Sequence, residues 1–374
     1  MANDISKVST PLLAQGLMAL RSMNVMPRLV NSDYQGAANE RNSVINVPIP
    51  SAITATAVVP GFQPPAQVDL APTSVPIILD QWFEAPFFLT DNEVMQAMNG
   101  VIPMQASEAV KAIANQVNAY IMSMGRGFGG FVGTSGTTPF ATDTSAASLA
   151  RKVLNKQLCP PSDRRIVLDM DAEGNAIILP LFQQANTAGT DRTQVEGVIG
   201  RKIGFDWYSD QQVGVHTSTP LTAGALTVNG VNAAGSKVLN VSKATTAAPL
   251  VAGDAITIGL ITYVVAANTT LIIGNTAVPL TFGLVTATVG GEAITLRATY
   301  VRNLAFHRDV IAFATRPLLE VSHPAVISES ATDPVSGIGL RLQITREYMR
   351  TRFAFDILYG GAVVRPELGC IIAG

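Results

Sequence analysis

Between Thr219 and Leu296 the chain carries only four charged residues, Lys237, Lys243, Asp254 and Glu292, and from Ala255 to Gly291 it carries none. A stretch so poor in charge must cross a bilayer, lie in a core, or form a sheet whose small polar residues face water. The run is broken by Asn268, Thr269, Thr270, Gly274, Asn275 and Pro279, is rich in Val, Ile and Thr, and has no Lys or Arg close beside it. A spanning helix needs ~20 mostly apolar residues with cationic flanks, so no membrane segment is read here. Turn signals at Asn229-Gly230, "AGD" and "GNT" separate short alternating runs. The span therefore predicts a small all-β module. The sequence on both sides reads as one domain, so the module is an insertion.

Low charge extends beyond this module. Only 14% of the 374 residues are charged and 48% are apolar, where about a quarter charged is usual. A lone subunit with so few charges covers its surface poorly, which points to burial against other subunits. The formal net charge of -2 supplies no basic field for nucleic acid or anionic lipid. Cys159 and Cys370 form no metal or redox motif; they read as two reduced thiols, with a single bridge as the alternative. The first twenty residues lack a basic segment followed by an unbroken apolar core, so no secretion signal is expected.

Along the chain, Leu13, Leu17 and Leu20 form a loose helical pattern ended near Pro27. "RNSVINVPIP" alternates as a strand, and "TSVPIILDQW" reads as its return strand across a proline-rich tip. Together they predict a long hairpin standing off the body. Thr90 with Glu93 three residues on suggests a capping box. After Pro103, Ala106, Ala109, Val110, Ile113, Val117, Tyr120, Ile121 and Met124 recur at helical spacing, giving an amphipathic helix of about twenty residues. A second helix spans Ser145 to Leu158, ended by Pro160 and Pro161, followed by a strand "RRIVLDM" and a turn at "DAEGN". Near the end, Leu340, Leu342 and Ile344 oppose Arg341 and Gln343, and Phe353, Phe355, Ile357 and Tyr359 oppose Arg352, Ala354 and Asp356. These are strands with one buried face.

Motifs for chemistry are thin. Gly125, Gly127 and Gly130 satisfy G-x-G-x-x-G, but a dinucleotide fingerprint follows a strand and opens a helix. Here it follows a helix, so Gly125 is expected as a helix C-cap and the later glycines as a flexible turn. His216, His307 and His323 sit in no metal-ligand spacing. Asp169 and Asp171 are two apart, which suits a cation or a polar β-turn, but no calcium loop is completed. No catalytic residue, cofactor site or metal site is assigned.

The charges are segregated along the sequence. From Asn42 to Val110 there is no Lys or Arg, while Asp69, Asp80, Glu84, Asp91, Glu93 and Glu108 are acidic. From Arg297 to Arg352 there are eight arginines. A solvated acidic face accounts for the first stretch. The alternative is an acidic hairpin lying on the basic part of a neighbouring subunit. On that alternative, Asp69, Asp80, Glu84, Arg341, Arg346, Arg350 and Arg352 are candidate intersubunit contacts.

The order of these parts resembles the P-22-like coat protein family of tailed bacteriophages, which has the Hong Kong 97 (HK-97) capsid fold with an extra inserted domain. The resemblance rests on "VNSDYQ" before "NSVINVPIP", on "VGTSGTTPFAT", on "VEGVIGRKIGFDWYSDQQVGVHT", on "LAFHRDVIAFATRPL" and on "RFAFDILYGGAVVRPELGC". It implies an α+β capsid fold. Residues 1–41 would be an N-terminal arm, 42–90 the E-loop hairpin, and 91–135 a peripheral domain with a long spine helix. An axial domain would take 136–218 and 297–330, with the β insertion at 219–296 and peripheral C-terminal strands at 331–374. Gly125 to Gly136 would be the turn from the spine helix toward the axial domain.

The function implied is a non-enzymatic major capsid protein that assembles through pentamers and hexamers into an icosahedral shell around double-stranded DNA. Implied partners are further copies of the chain, a scaffolding protein, a portal protein and non-specifically contacted DNA. Assembly would take place in the host cytoplasm and the product would be the virion. Two departures stand out. The near-uncharged insertion does not receive the family's charged contacts between capsomers. The hairpin has no lysine, so the covalent crosslink of some HK-97 shells is excluded there. The alternatives are another phage structural protein, a tail-tube or decoration subunit, or an α+β enzyme using His307 or His323.

Overall fold

The computed structural model describes residues 25–34, 44–50, 53, 55, 57, 60, 71–92, 101–184, 189, 192–218, 226–243, 247–316, 318–320, 326–332 and 338–374. The helical pattern before Pro27, the tip of the hairpin and Glu93 of the expected capping box lie outside them. Strands β1 (Val44–Ile49) and β2 (Thr73–Ile78) pair antiparallel, Val44 opposite Ile78 and Ile49 opposite Thr73. Pro48 and Pro76 are tolerated because a two-stranded ribbon leaves each strand with an unpaired edge.

Strand β3 (Gln81–Thr90) corrects the expected extent of the hairpin. It leaves β2 after a two-residue corner and joins the body. It is followed by the long helix Val101–Met124, which buries Ala106, Val110, Ile113, Ala114, Val117 and Ile121 along one stripe. Pro103 falls in its first turn, where the missing N–H has no helical partner to lose. Thr90 closes β3 and directly precedes the helical residues Asp91 and Asn92.

Next come β4 (Gly130–Gly133), the helix Ser145–Lys156, β5 (Arg164–Leu168), the helix Met170–Ile178, β6 (Arg201–Lys202), β7 (Phe205–Ser209) and β8 (Val215–His216). The expected turn at "DAEGN" is instead that second short helix. Asp169 accepts a hydrogen bond from the Ala172 N–H and so works as an N-cap.

The charge-poor span forms β9 (Leu226–Val228), β10 (Val238–Lys243), β11 (Ala248–Leu250), β12 (Ala255–Ile258), β13 (Ile261–Val264), β14 (Thr269–Leu271), β15 (Gly274–Pro279) and β16 (Ala293–Leu296). Six of these make one sheet in the order β13-β12-β16-β9-β10-β15, and β11 pairs β14. They enclose a separate core that includes Leu239, Val241, Ile256, Leu271 and Val278.

The remainder is β17 (Tyr300–His307), β18 (Ile311–Arg316), β19 (Val326–Thr332), β20 (Gly339–Glu347), β21 (Arg350–Val363) and β22 (Gly369–Ala373). One body sheet runs β4-β22-β17-β5-β7-β6, with β8 on β17. The other runs β18-β21-β20-β19, with β3 on β21. Thus β4 and β22, from stretches the sequence assigns to the peripheral part, pair in the sheet of β17 and β5.

The glycine-rich stretch after the long helix differs from expectation. Gly125 opens a short 3-10 turn, and a Cβ there would lie 2.5 Å from the Leu304 side chain. A Cβ on Gly129 would meet Phe282 at 2.8 Å, and one on Gly130 would meet Val153 at 2.9 Å. These glycines admit close packing where helix, sheet and insertion converge. They are neither a left-handed cap nor a loose turn. Only Gly133 and Gly136 take positive φ in this stretch, at 93° and 77°.

The final strands also differ from a one-sided sheet. Phe353, Phe355, Ile357 and Tyr359 face the main core, but Ala354, Asp356 and Leu358 on the other face are buried too. The base of the hairpin covers part of that second face. Ile45, Val47, Ile77 and Leu79 pack with Ala312, Ala314, Leu358 and Val364. Gly360 permits this approach, since a Cβ would stand 2.1 Å from the Ile78 carbonyl oxygen.

The insertion is fastened at its root. Strands β8 and β17, which flank it in sequence, pair with His216 opposite Tyr300. His216 Nε2 lies 2.9 Å from Asp254 Oδ1, both residues buried. The Tyr300 hydroxyl donates to the Gly253 carbonyl at 2.7 Å, and burial raises its pKa well above the ordinary tyrosine value.

Candidate intersubunit surface

Strand alternation sets the surface chemistry of β3 and β21. Opposite one another on a single face stand Trp82 and Leu358, Glu84 and Asp356, Pro86 and Ala354, Phe88 and Arg352. The odd positions take the other face, where Phe87 stacks on Phe353 with ring centroids 5.1 Å apart while Phe83 stays 37% exposed.

The charges on and beside β3, β20 and β21 pair within the chain. Arg352 Nη2 donates to both carboxylate oxygens of Glu84, at 2.8 and 2.7 Å. Arg341 grips Asp356 through Nε, at 3.0 Å, and through Nη2. It also donates from Nη1 to the Leu319 carbonyl at 2.7 Å. Trp82 Nε1 reaches Asp356 at 3.4 Å. Arg346 pairs with Asp91 at 2.5 Å, and Arg350 with Glu347 at 2.5 Å. The Arg350 guanidinium also lies over the Phe88 ring, 4.6 Å from its centroid.

Five of the seven expected intersubunit residues, Glu84, Arg341, Arg346, Arg350 and Arg352, therefore have ion-pair partners inside their own subunit. For Glu84–Arg352 and Asp91–Arg346 the reason is that β3 runs beside β21, bringing the acidic stretch onto the arginine-rich one; Arg341 and Arg350 find Asp356 and Glu347 within the C-terminal strands themselves. Arg341 is corrected outright as a surface residue, being only 8% exposed. Asp80 is exposed at the corner between β2 and β3, accepting a hydrogen bond from Gln81 Nε2 at 2.9 Å. Asp69 lies outside the described residues.

What remains outward on this face is aromatic. Trp82 and Phe88 are each 46% exposed, with Pro86 between them also exposed. Val44 and Ile78 are exposed on the adjoining hairpin. These neighbouring exposed apolar side chains make the face a candidate interaction surface. Its signal is present in "QWFEAPFF", where every second residue is bulky, but the charge pattern draws the reading to Glu84 instead.

No histidine or cysteine assembles into a reactive site among the described residues. His307 Nδ1 accepts from the Asp309 N–H at 3.2 Å, and burial lowers its pKa against the opposing pull of Asp309. His323 lies outside the described residues. Cys159 and Cys370 are buried free thiols, and burial raises the pKa of both. No cluster of three potential metal ligands occurs among the described residues, and no described helix is long and apolar enough to cross a membrane.

With the sheets, helix and insertion in place, the fold can be compared with known proteins. No family model matches the sequence, and no curated protein matches it. Solved structures do match. A chain of Mycobacterium phage Che8 superposes with a TM-score of 0.53 at 16% identity, over 93% of this chain and 90% of that one. The capsid structure of the cyanophage P-SCSP1u superposes with a TM-score of 0.51 at 12% identity, over 94% of this chain and 88% of that one. The architecture is thus α+β of the HK-97-like capsid class, and the β9–β16 unit is carried within it.

Proposed function

We propose that this chain is the major coat protein of a tailed double-stranded DNA bacteriophage, of the P-22-like type with an inserted domain. The observation that carries the reading is the reach of the fold likeness, 94% of this chain and 88% of a cyanophage capsid chain. Low charge over the whole sequence and the outward aromatic face of β3 support it, since both suit a subunit whose neighbours cover it. The role is structural, through many weak contacts that close a shell. Pentamers and hexamers are the assembly units, a scaffolding protein and a portal act during assembly in the host cytoplasm, and packaged DNA is met through phosphate charge alone.

In this reading the hairpin and the Trp82–Phe88 face lie against the next subunit, with Asp69 and Asp80 as acidic contacts. The arginines 346, 350 and 352 offer their remaining exposed edges there. The test is light scattering and negative-stain electron microscopy of the purified chain, with and without its scaffolding partner. Uniform closed shells of megadalton mass are expected. A stable monomer or small oligomer under both conditions refutes the proposal. Asp80→Lys should lower shell yield while leaving the subunit folded by circular dichroism.

A further inference from the structure

A groove of about 650 Å3 separates β4 and the helix Ser145–Lys156 from the insertion. Its charged lining is one-sided: Lys152, Lys156, Lys237 and Arg297 against the single acid Glu367. That contrasts with a chain whose net charge is -2. Its lining is also apolar in places, with Leu149, Leu260 and Val285 exposed and Leu260 fully so. A cationic groove with apolar anchor points fits an acidic, amphipathic ridge.

The same chain presents such a ridge elsewhere. The helix Met170–Ile178 buries Ala172 and Ala176 against the body. Its opposite side carries Met170, Gly174 and Ile178, four residues apart and so on one face, and Leu181 follows in the separate short helix Pro180–Gln183, after an extended Leu179. Met170, Ile178 and Leu181 are exposed, Ile178 by 70%. A Cβ on Gly174 would meet nothing within 4 Å. Asp171 is exposed beside this stripe and Glu173 is partly so.

The two surfaces are far apart on one subunit. The groove flanks β4 at one end of its sheet. The ridge is anchored by Phe182, whose ring lies 5.1 Å from Trp207 of β7. In the order β4-β22-β17-β5-β7, that is four strand spacings, or roughly 19 Å. From these placements we infer that the Met170–Leu181 ridge of one copy seats in the β4–insertion groove of the next. Asp171 and Glu173 meet Lys152, Lys156 and Lys237, while Ile178 and Leu181 meet Leu149 and Leu260. Because ridge and groove are different surfaces, the contact is head-to-tail, which repeats from copy to copy and makes a ring where the rotation between copies closes. The inference rests on the coat-protein reading in needing a second copy of the chain.

The test uses the full-length chain carrying both Ile178→Cys and Leu260→Cys, assembled and then mildly oxidised. The two native cysteines are buried, so new bridges report on the new thiols. Non-reducing electrophoresis should show a ladder of linked subunits for the double variant, and no ladder for either single one. Charge reversal gives an independent arm. Asp171→Lys with Glu173→Lys, or Lys152→Glu with Lys156→Glu, should each lower multimer yield by roughly tenfold, and the combined variant should recover it. Shells that form without a ladder, or a combined variant that stays impaired while folded, overturn this contact and leave the coat-protein reading standing. A chain that stays monomeric throughout overturns both.

Discussion

Replacing Gly360 by alanine should loosen the base of the hairpin without abolishing the fold. The added methyl would sit 2.1 Å from the Ile78 carbonyl oxygen and 2.8 Å from its carbon. Both are backbone atoms, so no side chain can swing aside. Ordinary contact begins near 3.4 Å, so β2 must retreat by more than an ångström. Two responses compete. Full release would expose Ile45, Val47, Ile77 and Leu79, which at ~1.5–3 kcal/mol per large apolar side chain costs at least about 6 kcal/mol. A strained shift of the strand costs about 1–3 kcal/mol, the usual range for an overpacked core. The shift therefore wins, and the hairpin stays docked but loosely. Urea denaturation should show a loss of about 1–3 kcal/mol, and hydrogen exchange should rise at Ile77 and Leu79 while the long helix stays protected. Unchanged stability together with unchanged exchange in β2 would refute the packing argument.

The ion pairs offer a contrast in one chain. Asp356→Ala strands the Arg341 guanidinium in a nearly dry site and should cost about 3–5 kcal/mol, whereas Glu84→Ala removes a half-exposed partner of Arg352 and should cost less than about 1 kcal/mol. Equal losses in denaturant titrations would show that burial does not govern these pairs. His307 should give stability a pH dependence. Its folded pKa is lowered by burial, whereas the unfolded ring titrates near ~6.5. As pH falls below that value the unfolded chain takes up the proton first, so the stabilisation is complete above it and declines beneath it. His307→Gln should flatten the fall in urea midpoint between about pH 6.5 and 5; parallel slopes for the two proteins would count against a neutral, buried His307.

Elements that bury a single stripe were legible in the sequence. The Ala106-to-Ile121 spacing marks the long helix, whose one face meets the core; the alternation from Phe353 to Tyr359 also marks β21 as a strand, though not the burial of Ala354, Asp356 and Leu358 on its other face. Pairing partners were not legible. The return strand read at "TSVPIILDQW" stops at Trp82, and nothing local says that a new strand runs on to Thr90 and places Glu84 across from Asp356, 272 residues away. The segregated charges of the sequence thus read as a meeting of two subunits when β3 and β21 meet within one. Glycine was opaque for a related reason: whether Gly125 caps a helix or admits a neighbour depends on Leu304, which is distant in sequence. Asp169 shows the same ambiguity at short range, since a turn and a helix N-cap favour the same residue type.

The root of the insertion has a consequence for ancestry. Its incoming and outgoing strands, β8 and β17, lie side by side, with Val215 opposite Val301. Antiparallel neighbours are only ~5 Å apart, so a short linker between them could replace the whole unit without rerouting the rest of the chain. Evolution could graft a β domain at such a site, exchange it, or discard it as a cassette. Removal would cost the root anchors, the His216–Asp254 pair and the Tyr300 hydroxyl, together with the packing of Phe282, Ala255 and Val264 against the body. A recipient scaffold needs only an adjacent strand pair whose exposed corner tolerates a guest.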